Sequence, residues 1–196
     1  LSGDPRQDLL DDELRLIQDR GLVVGAIFHG SDIRSPSRHM ERLSHSYFPL
    51  WEESRRQALE EQTARRRGAL EASGIPSFVS TPDLLLDVPS ATWLPLVIHT
   101  RRWANDRAAL RNTRPVVLHL PSRRNPPIKG SNIIEPILAD LDRQGLIDYR
   151  PPTATVPHHQ MPGLVKASDV VVEQILSGYY GVTATEGMAA GRLVIG

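Results

Sequence analysis

No cysteine occurs anywhere in the 196 residues. That excludes disulfides and thiolate metal sites and leaves the cytoplasm as the default expectation. There is no excess of charge either, since 23 Lys and Arg balance 23 Asp and Glu. Nothing global therefore argues for a nucleic acid or an acidic surface as partner. No apolar run approaches the ~20 residues a bilayer span needs, so any membrane contact is expected to be peripheral, at the inner face. The first six residues, starting at Leu1, lack the basic and apolar blocks of a signal peptide. What is present is an ordinary globular composition, 40% hydrophobic and 23% charged, on a length that suits one large or two small domains. Because the chain starts without methionine and stops at Gly196 directly after a strand-like run, it reads as a piece of a longer protein.

In residues 8–19, Leu9, Leu10, Leu14, Leu16 and Ile17 recur at roughly helical spacing, and Gly21 closes that helix. Residues 22–28 then read as a buried strand. The strand delivers His29, Gly30, Ser31, Asp32 and Arg34 to its carboxyl end, the edge where open α/β sheets bind ligands. His29 offers an acid or base, Asp32 an acceptor and Arg34 a forked donor. The same residues also suit a polar turn capped by its own aspartate. Residues 35–50 read as an irregular functional loop. Residues 51–73 set Arg55, Arg56, Arg65, Arg66 and Arg67 against Glu52, Glu53, Glu60 and Glu61 over a thin apolar stripe. That pattern favours a solvated helix face over an anionic-membrane or nucleic-acid patch. Gly74 and Pro76 end the helix. A short strand at 78–80, a helix start at Thr81-Pro82 and a strand over 93–98 follow. The basic stretch 99–114 is poor in hydrophobics and marks a linker between a first domain, 1–98, and a second, 115–196.

The second half opens on a parallel-type strand over 115–120. A loop bearing Arg123, Arg124 and Lys129 leads into a helix that starts near Ser131. Ile133, Ile134, Ile137, Leu138 and Leu141 would form its apolar face, and Gly145 would close it. Pro136 demands a late start or a kink. Strands at 146–149 and 169–172 bracket a short helix over 161–167. The alternation is that of a doubly wound α/β sheet rather than a barrel or sandwich.

Three strand ends converge on one edge of this second sheet. Arg123, Arg124 and Lys129 beside a helix N-terminus suit a pyrophosphate, although a basic surface loop has the same composition. Glu173-Gln174 and the turn Gly178-Tyr179-Tyr180-Gly181 would bring backbone N–H groups against a ligand. Glu186, at the front of a helix of small residues, suits the two hydroxyls of a ribose, or simply the first turn of its own helix.

In order and spacing these motifs resemble the donor-binding half of two-domain GT-B glycosyltransferases of the group 1 or family 4 type. Arg124 stands five residues before Lys129-Gly130. The run from Tyr179 through Gly181 and Glu186 to Ile195 follows the family's acid-rich glycine loop in register. Gly178 takes the position, eight residues before Glu186, where the family carries its first acid. Glu173-Gln174 looks like a variant of the Asp-Gln of one subset, and Arg192-Leu193 replaces the usual basic residue and proline. In the first half, the segment from Phe28 to Arg34 resembles the strand end that faces the donor across the cleft.

The resemblance implies two Rossmann-like, doubly wound domains, both incomplete here. It also implies a retaining, metal-independent hexosyltransferase that uses a UDP- or GDP-sugar and needs no cofactor. It places His29, Arg124 and Lys129 at the reaction and Gly130, Glu173, Tyr180, Gly181 and Glu186 on the donor. Asp32 and Arg34 fall on the side of an acceptor that is a small molecule, glycan or lipid. A sugar-nucleotide epimerase of the same fold, a non-catalytic binding module and a nucleotide-free α/β scaffold are the alternatives.

Overall fold

The structure is a computed structural model and describes residues 12, 15–122, 128–152 and 155–196. A first sheet is formed by β1 (Ala26–Phe28), β2 (Ser77–Val79) and β3 (Thr92–Trp93), all parallel and in that order. Parallel neighbours need a crossover. Between β1 and β2 it consists of α1 (Pro36–Arg42), a 3-10 turn (Phe48–Leu50) and the long α2 (Glu53–Ser73).

Residues 35–50, expected to be an irregular loop, therefore hold a helix and a 3-10 turn joined by a short loop. Ser35 caps α1 by accepting the Arg38 N–H at 3.3 Å, and Pro36 occupies the first turn, where its missing N–H costs nothing. α2 ends as expected, with Gly74 in the left-handed region at φ 62°. Ile33, Leu70, Val79, Leu84 and Val88 form the core of this part. Only the last three residues of the apolar run 22–28 pair in the sheet, and Val23 is 97% exposed. Likewise, of the run 93–98 only Trp93 is strand, paired together with Thr92, and Val97 is 90% exposed. Apolar composition had suggested longer strands than the sheet has neighbours to pair.

The second sheet follows α3 (Thr100–Trp103). Its strands are β4 (Val116–His119), β5 (Asp148–Tyr149), β6 (Val170–Val172) and β7 (Leu193–Ile195), parallel in the order β5-β4-β6-β7. Their connections contain α4 (Ser131–Arg143), α5 (Met161–Ala167) and α6 (Val182–Ala189). Alternate residues of one strand enter different cores. Leu118 and Val171 pack with Trp103, Val165 and Ala190 on one face, while Val117, Val170 and Val172 pack with Ile134 and Leu138 of α4 on the other. Burial on both faces explains why these strands are unbroken apolar runs. α4 starts at Ser131 and continues through Pro136. It buries Ile134 and Leu138, while Ile133 and Ile137 lie exposed beside them, a narrower face than the spacing suggested.

The basic stretch 99–114 contains α3, whose Trp103, together with Ile98, packs into the second core. Arg107 reaches Asp169 at 3.1 Å, and the Asp169 carboxylate also accepts the Val116 N–H at 2.8 Å and the Leu110 N–H at 3.2 Å. The two sheets are joined by a third cluster, in which Tyr47, Phe48 and Trp51 enclose Leu176 and Ile128. The Tyr47 N–H donates to the Leu176 carbonyl across that junction, at 3.1 Å. No helix among the described residues is long and apolar enough to cross a membrane.

Candidate functional site

In a doubly wound sheet a crevice opens outside the strand ends where the winding reverses direction. Here β5 lies on one side of β4 and β6 on the other, so that point is at the carboxyl ends of β4 and β6. His119 closes β4 and is fully buried. Its Nδ1–H donates to the Val172 carbonyl at 2.8 Å, so Nε2 must accept, and it does so from Ser131 Oγ at 2.9 Å. Ser131 Oγ in turn accepts the Ser122 N–H at 3.2 Å. One neutral imidazole thus fastens β4 to β6 and to the first residue of α4. Burial, partly offset by the Val172 bond, holds its pKa below the ordinary histidine value.

Lys129 precedes α4, and its Nζ donates to the Leu120 carbonyl at 3.2 Å. Burial lowers its pKa, against the raising fields of Glu173 and Glu186. Gly130 takes φ 78° at the start of α4, a left-handed conformation that also brings its backbone against Ile175 and Leu176. Arg123 and Arg124 lie outside the described residues.

After β6, Glu173 is buried and accepts the Gly181 N–H at 2.8 Å. A Cβ on Gly181 would stand 2.7 Å from Glu173 Oε1, so the glycine lets this carboxylate brace the turn. Gln174 Nε2 donates to the Tyr179 carbonyl at 2.5 Å, bracing the same turn from within. Gly178 has φ 66°, and a Cβ there would meet Leu43 Cδ2 at 2.9 Å. A side chain at this position needs both a strained backbone and a displaced leucine, which is a physical reason for glycine where the resembling family has an acid.

Glu186 sits in the second turn of α6, not at its front, and is buried, with His158 Nε2 at 3.9 Å from Oε1. Burial raises its pKa, Arg102 lowers it, Glu173 raises it and Lys129 lowers it. Arg192 is buried and donates to the carbonyls of Ala190, Ser168 and Arg107.

Across from this edge, Asp32 folds back on its own loop. Its two oxygens accept the His29 N–H at 2.8 Å and the Gly30 N–H at 2.7 Å. His29 is left exposed at the end of β1. Arg34 is only 1% exposed. It grips Asp83 Oδ2 through Nε at 3.1 Å and Nη2 at 2.7 Å, with its guanidinium 4.2 Å from the centre of the Tyr179 ring. It therefore bridges the two sheets' loops. His39 makes a second bridge by donating from Nε2 to the Ser177 carbonyl at 3.1 Å and accepting Ser46 Oγ–H at Nδ1.

Between the two edges lies a cleft of about 520 Å³. His29, Gly30, Asp32 and Arg34 line it from the first sheet, and Ser122 and Lys129 from the second. No protein-family model matches the chain, and no curated protein does.

The site rests on its own geometry. His29, Asp32, Arg34 and Lys129, expected from the sequence, do meet across the cleft. Glu173, Tyr180, Gly181 and Glu186 do not line it, and Tyr179 is the residue of their turn that does. Tyr47, Trp51 and Ile128 also line it. Sequence reasoning assigned none of these three to the site, although Tyr47 and Trp51 bound an apolar, aromatic-rich run, Tyr47-Phe48-Pro49-Leu50-Trp51, which was the available signal. No group of three or more His, Asp or Glu side chains among the described residues is placed to hold a metal ion.

The two bridging histidines make stability depend on pH. Both are pushed down by burial, and each uses one ring nitrogen as an acceptor, so the folded chain resists protonating them. Their contribution is complete above the free histidine pKa and is lost as pH falls below about 6.5, where the unfolded chain takes up the proton. Asp87 and Glu186, raised by burial, act in the opposite sense, so a comparison with a variant is needed. Urea midpoints at about pH 7 and about pH 5.5 should show a smaller loss for His119→Asn than for the unaltered chain, by up to about 1 kcal/mol. Equal losses would show that His119 is not held neutral.

Proposed function

We propose that the chain is part of a retaining glycosyltransferase of the GT-B type, moving a sugar from a nucleoside diphosphate sugar to an acceptor. The supporting observation is a cleft bounded by the carboxyl edges of two parallel sheets, with His29 on one wall and Lys129, before the helix α4, on the other. In this reading the bond from the sugar's anomeric carbon to the diphosphate oxygen breaks. The acceptor oxygen bonds that carbon on the same face, and the acceptor proton leaves with the phosphate. Lys129, Arg124 and the first turn of α4 stabilise the charge that develops on the departing diphosphate. Glu186 holds the ribose hydroxyls, His29 lines the reaction centre, and Glu173 acts through the Tyr180-Gly181 turn it braces. The protein works in the cytoplasm without a metal.

A non-catalytic binding module of the same fold is the second reading. It is favoured by the internal use of the Glu173 carboxylate and by Gly178 at the position of the family's acid. Incubation with UDP- and GDP-sugars separates these readings. Release of free nucleoside diphosphate marks a transferase, an altered sugar still attached to nucleotide marks an epimerase, and binding without turnover marks the module. Within the first reading, Glu186→Ala should weaken UDP or GDP binding at least about tenfold, or about 1.4 kcal/mol. Unchanged affinity in calorimetry would remove the ribose from Glu186.

A further inference from the structure

One face of α2 takes no part in the cleft's chemistry. Arg55, Leu59, Gln62, Arg65 and Arg66 recur there at helical spacing and line a groove of about 630 Å³. Ser31, Asp32 and Trp51 belong to this groove and also to the cleft, so the two hollows share a wall.

The groove's charge is mainly positive. Three guanidinium groups line it, and the carboxylate in the described lining, that of Asp32, is already occupied by two backbone N–H groups. Two of the guanidinium groups are held in place. Arg66 Nη1 donates to the Asp32 carbonyl at 2.7 Å, and Arg55 lies 3.8 Å from the centre of the Trp51 ring. Glu60 of the same helix is engaged elsewhere, accepting Ser35 Oγ–H at 2.6 Å and the Ser37 N–H at 2.8 Å.

Forked donors fixed around a hollow match the oxygens of a phosphate better than mobile ammonium groups would. A lipid surface fits less well. Helices that enter one present large apolar side chains, and among the described residues none of the exposed ones lies on α2. The volume suits a ligand the size of a sugar phosphate.

We propose that this groove binds the phosphate of a water-soluble phosphorylated polyol, the acceptor of the transfer. The assignment rests on the glycosyltransferase reading. The phosphate lies among Arg55, Arg65 and Arg66, and a hydroxyl of the same molecule extends past Asp32 into the cleft, towards the donor's anomeric carbon. The bond changes are those of the transfer itself, and the acceptor's phosphate is not consumed.

Calorimetric titration with glucose 6-phosphate and glycerol 3-phosphate, beside glucose and glycerol, tests this. At least one phosphorylated probe should bind about tenfold or more tightly than its parent polyol, and the Arg55→Gln/Arg65→Gln variant should lose about that factor. Added salt should weaken the binding. UDP and GDP affinity should be the same in both proteins. Equal binding of phosphorylated and plain polyols, no loss in the double variant, or binding to phosphatidylglycerol vesicles alone would overturn the proposal. If UDP and GDP bind but the phosphorylated polyols do not, this inference fails alone. If the polyol phosphates bind but no nucleotide does, the glycosyltransferase reading fails, and the acceptor role fails with it.

Discussion

Replacing Lys129 with methionine should lower kcat/KM for sugar transfer by about 10²–10³-fold, the usual cost of deleting one group that stabilises developing anionic charge. Lys129 lines the cleft immediately before α4, so in the proposed transfer a departing diphosphate would meet both a cation and a helix N-terminus. The protein's stability should not fall with the activity. Burial already disfavours the ammonium, and the one hydrogen bond the substitution removes is that to the Leu120 carbonyl. Methionine keeps an unbranched stem and removes the charge with that one bond. Steady-state kinetics beside a melting curve make the check. A large loss of activity with an unchanged Tm is the expected pair of results, and unchanged activity would remove Lys129 from the reaction.

Gly130→Ala should instead act on the fold. A Cβ there would lie 2.7 Å from Ile175 Cγ1 and 3.1 Å from Leu176 Cγ, on a backbone at φ 78°. Left-handed strain and overpacking together should cost about 3 kcal/mol and lower Tm by roughly 6–12 °C. Gly163→Ala supplies the control. It lies inside α5 with nothing within 4 Å of a new Cβ, and alanine should leave stability unchanged or raise it by up to about 1 kcal/mol. The contrast measures how closely the loop after β6 is packed on the start of α4. Equal effects at the two sites would contradict that packing.

The second sheet was legible because its physics is local. Val116 to Leu118 and Val170 to Val172 are covered on both faces, so their sequence is uniformly apolar and bounded by turns. The first half was harder to read. α1 buries Pro36 and His39 rather than aliphatic side chains, so no apolar period announced it, although the Ser35-Pro36 start signal was present. The run at residues 22–28 is apolar beyond the three residues that find a partner strand.

At the site, the loops bearing His29 and Lys129 were readable from their places after apolar strands. The duties of individual residues were not. Arg34 finds Asp83, 49 residues away, and Tyr179 still farther along the chain. No spacing rule links such positions. His119 looked like one more strand residue, yet it ties two strands and a helix together. Glu173 was legible as a carboxylate at a strand end, but not as the brace of Gly181, because that depends on which way the turn folds back.

The central claim is a nucleoside diphosphate site at the carboxyl edge of the second sheet, and a thermal-shift titration with UDP and GDP tests it most directly. One of the two nucleotides should raise Tm progressively, by roughly 5–10 °C at a hundredfold excess over Kd, with the shift reduced in Glu186→Ala. No shift with either nucleotide, or with their sugar conjugates, at millimolar concentration would contradict it.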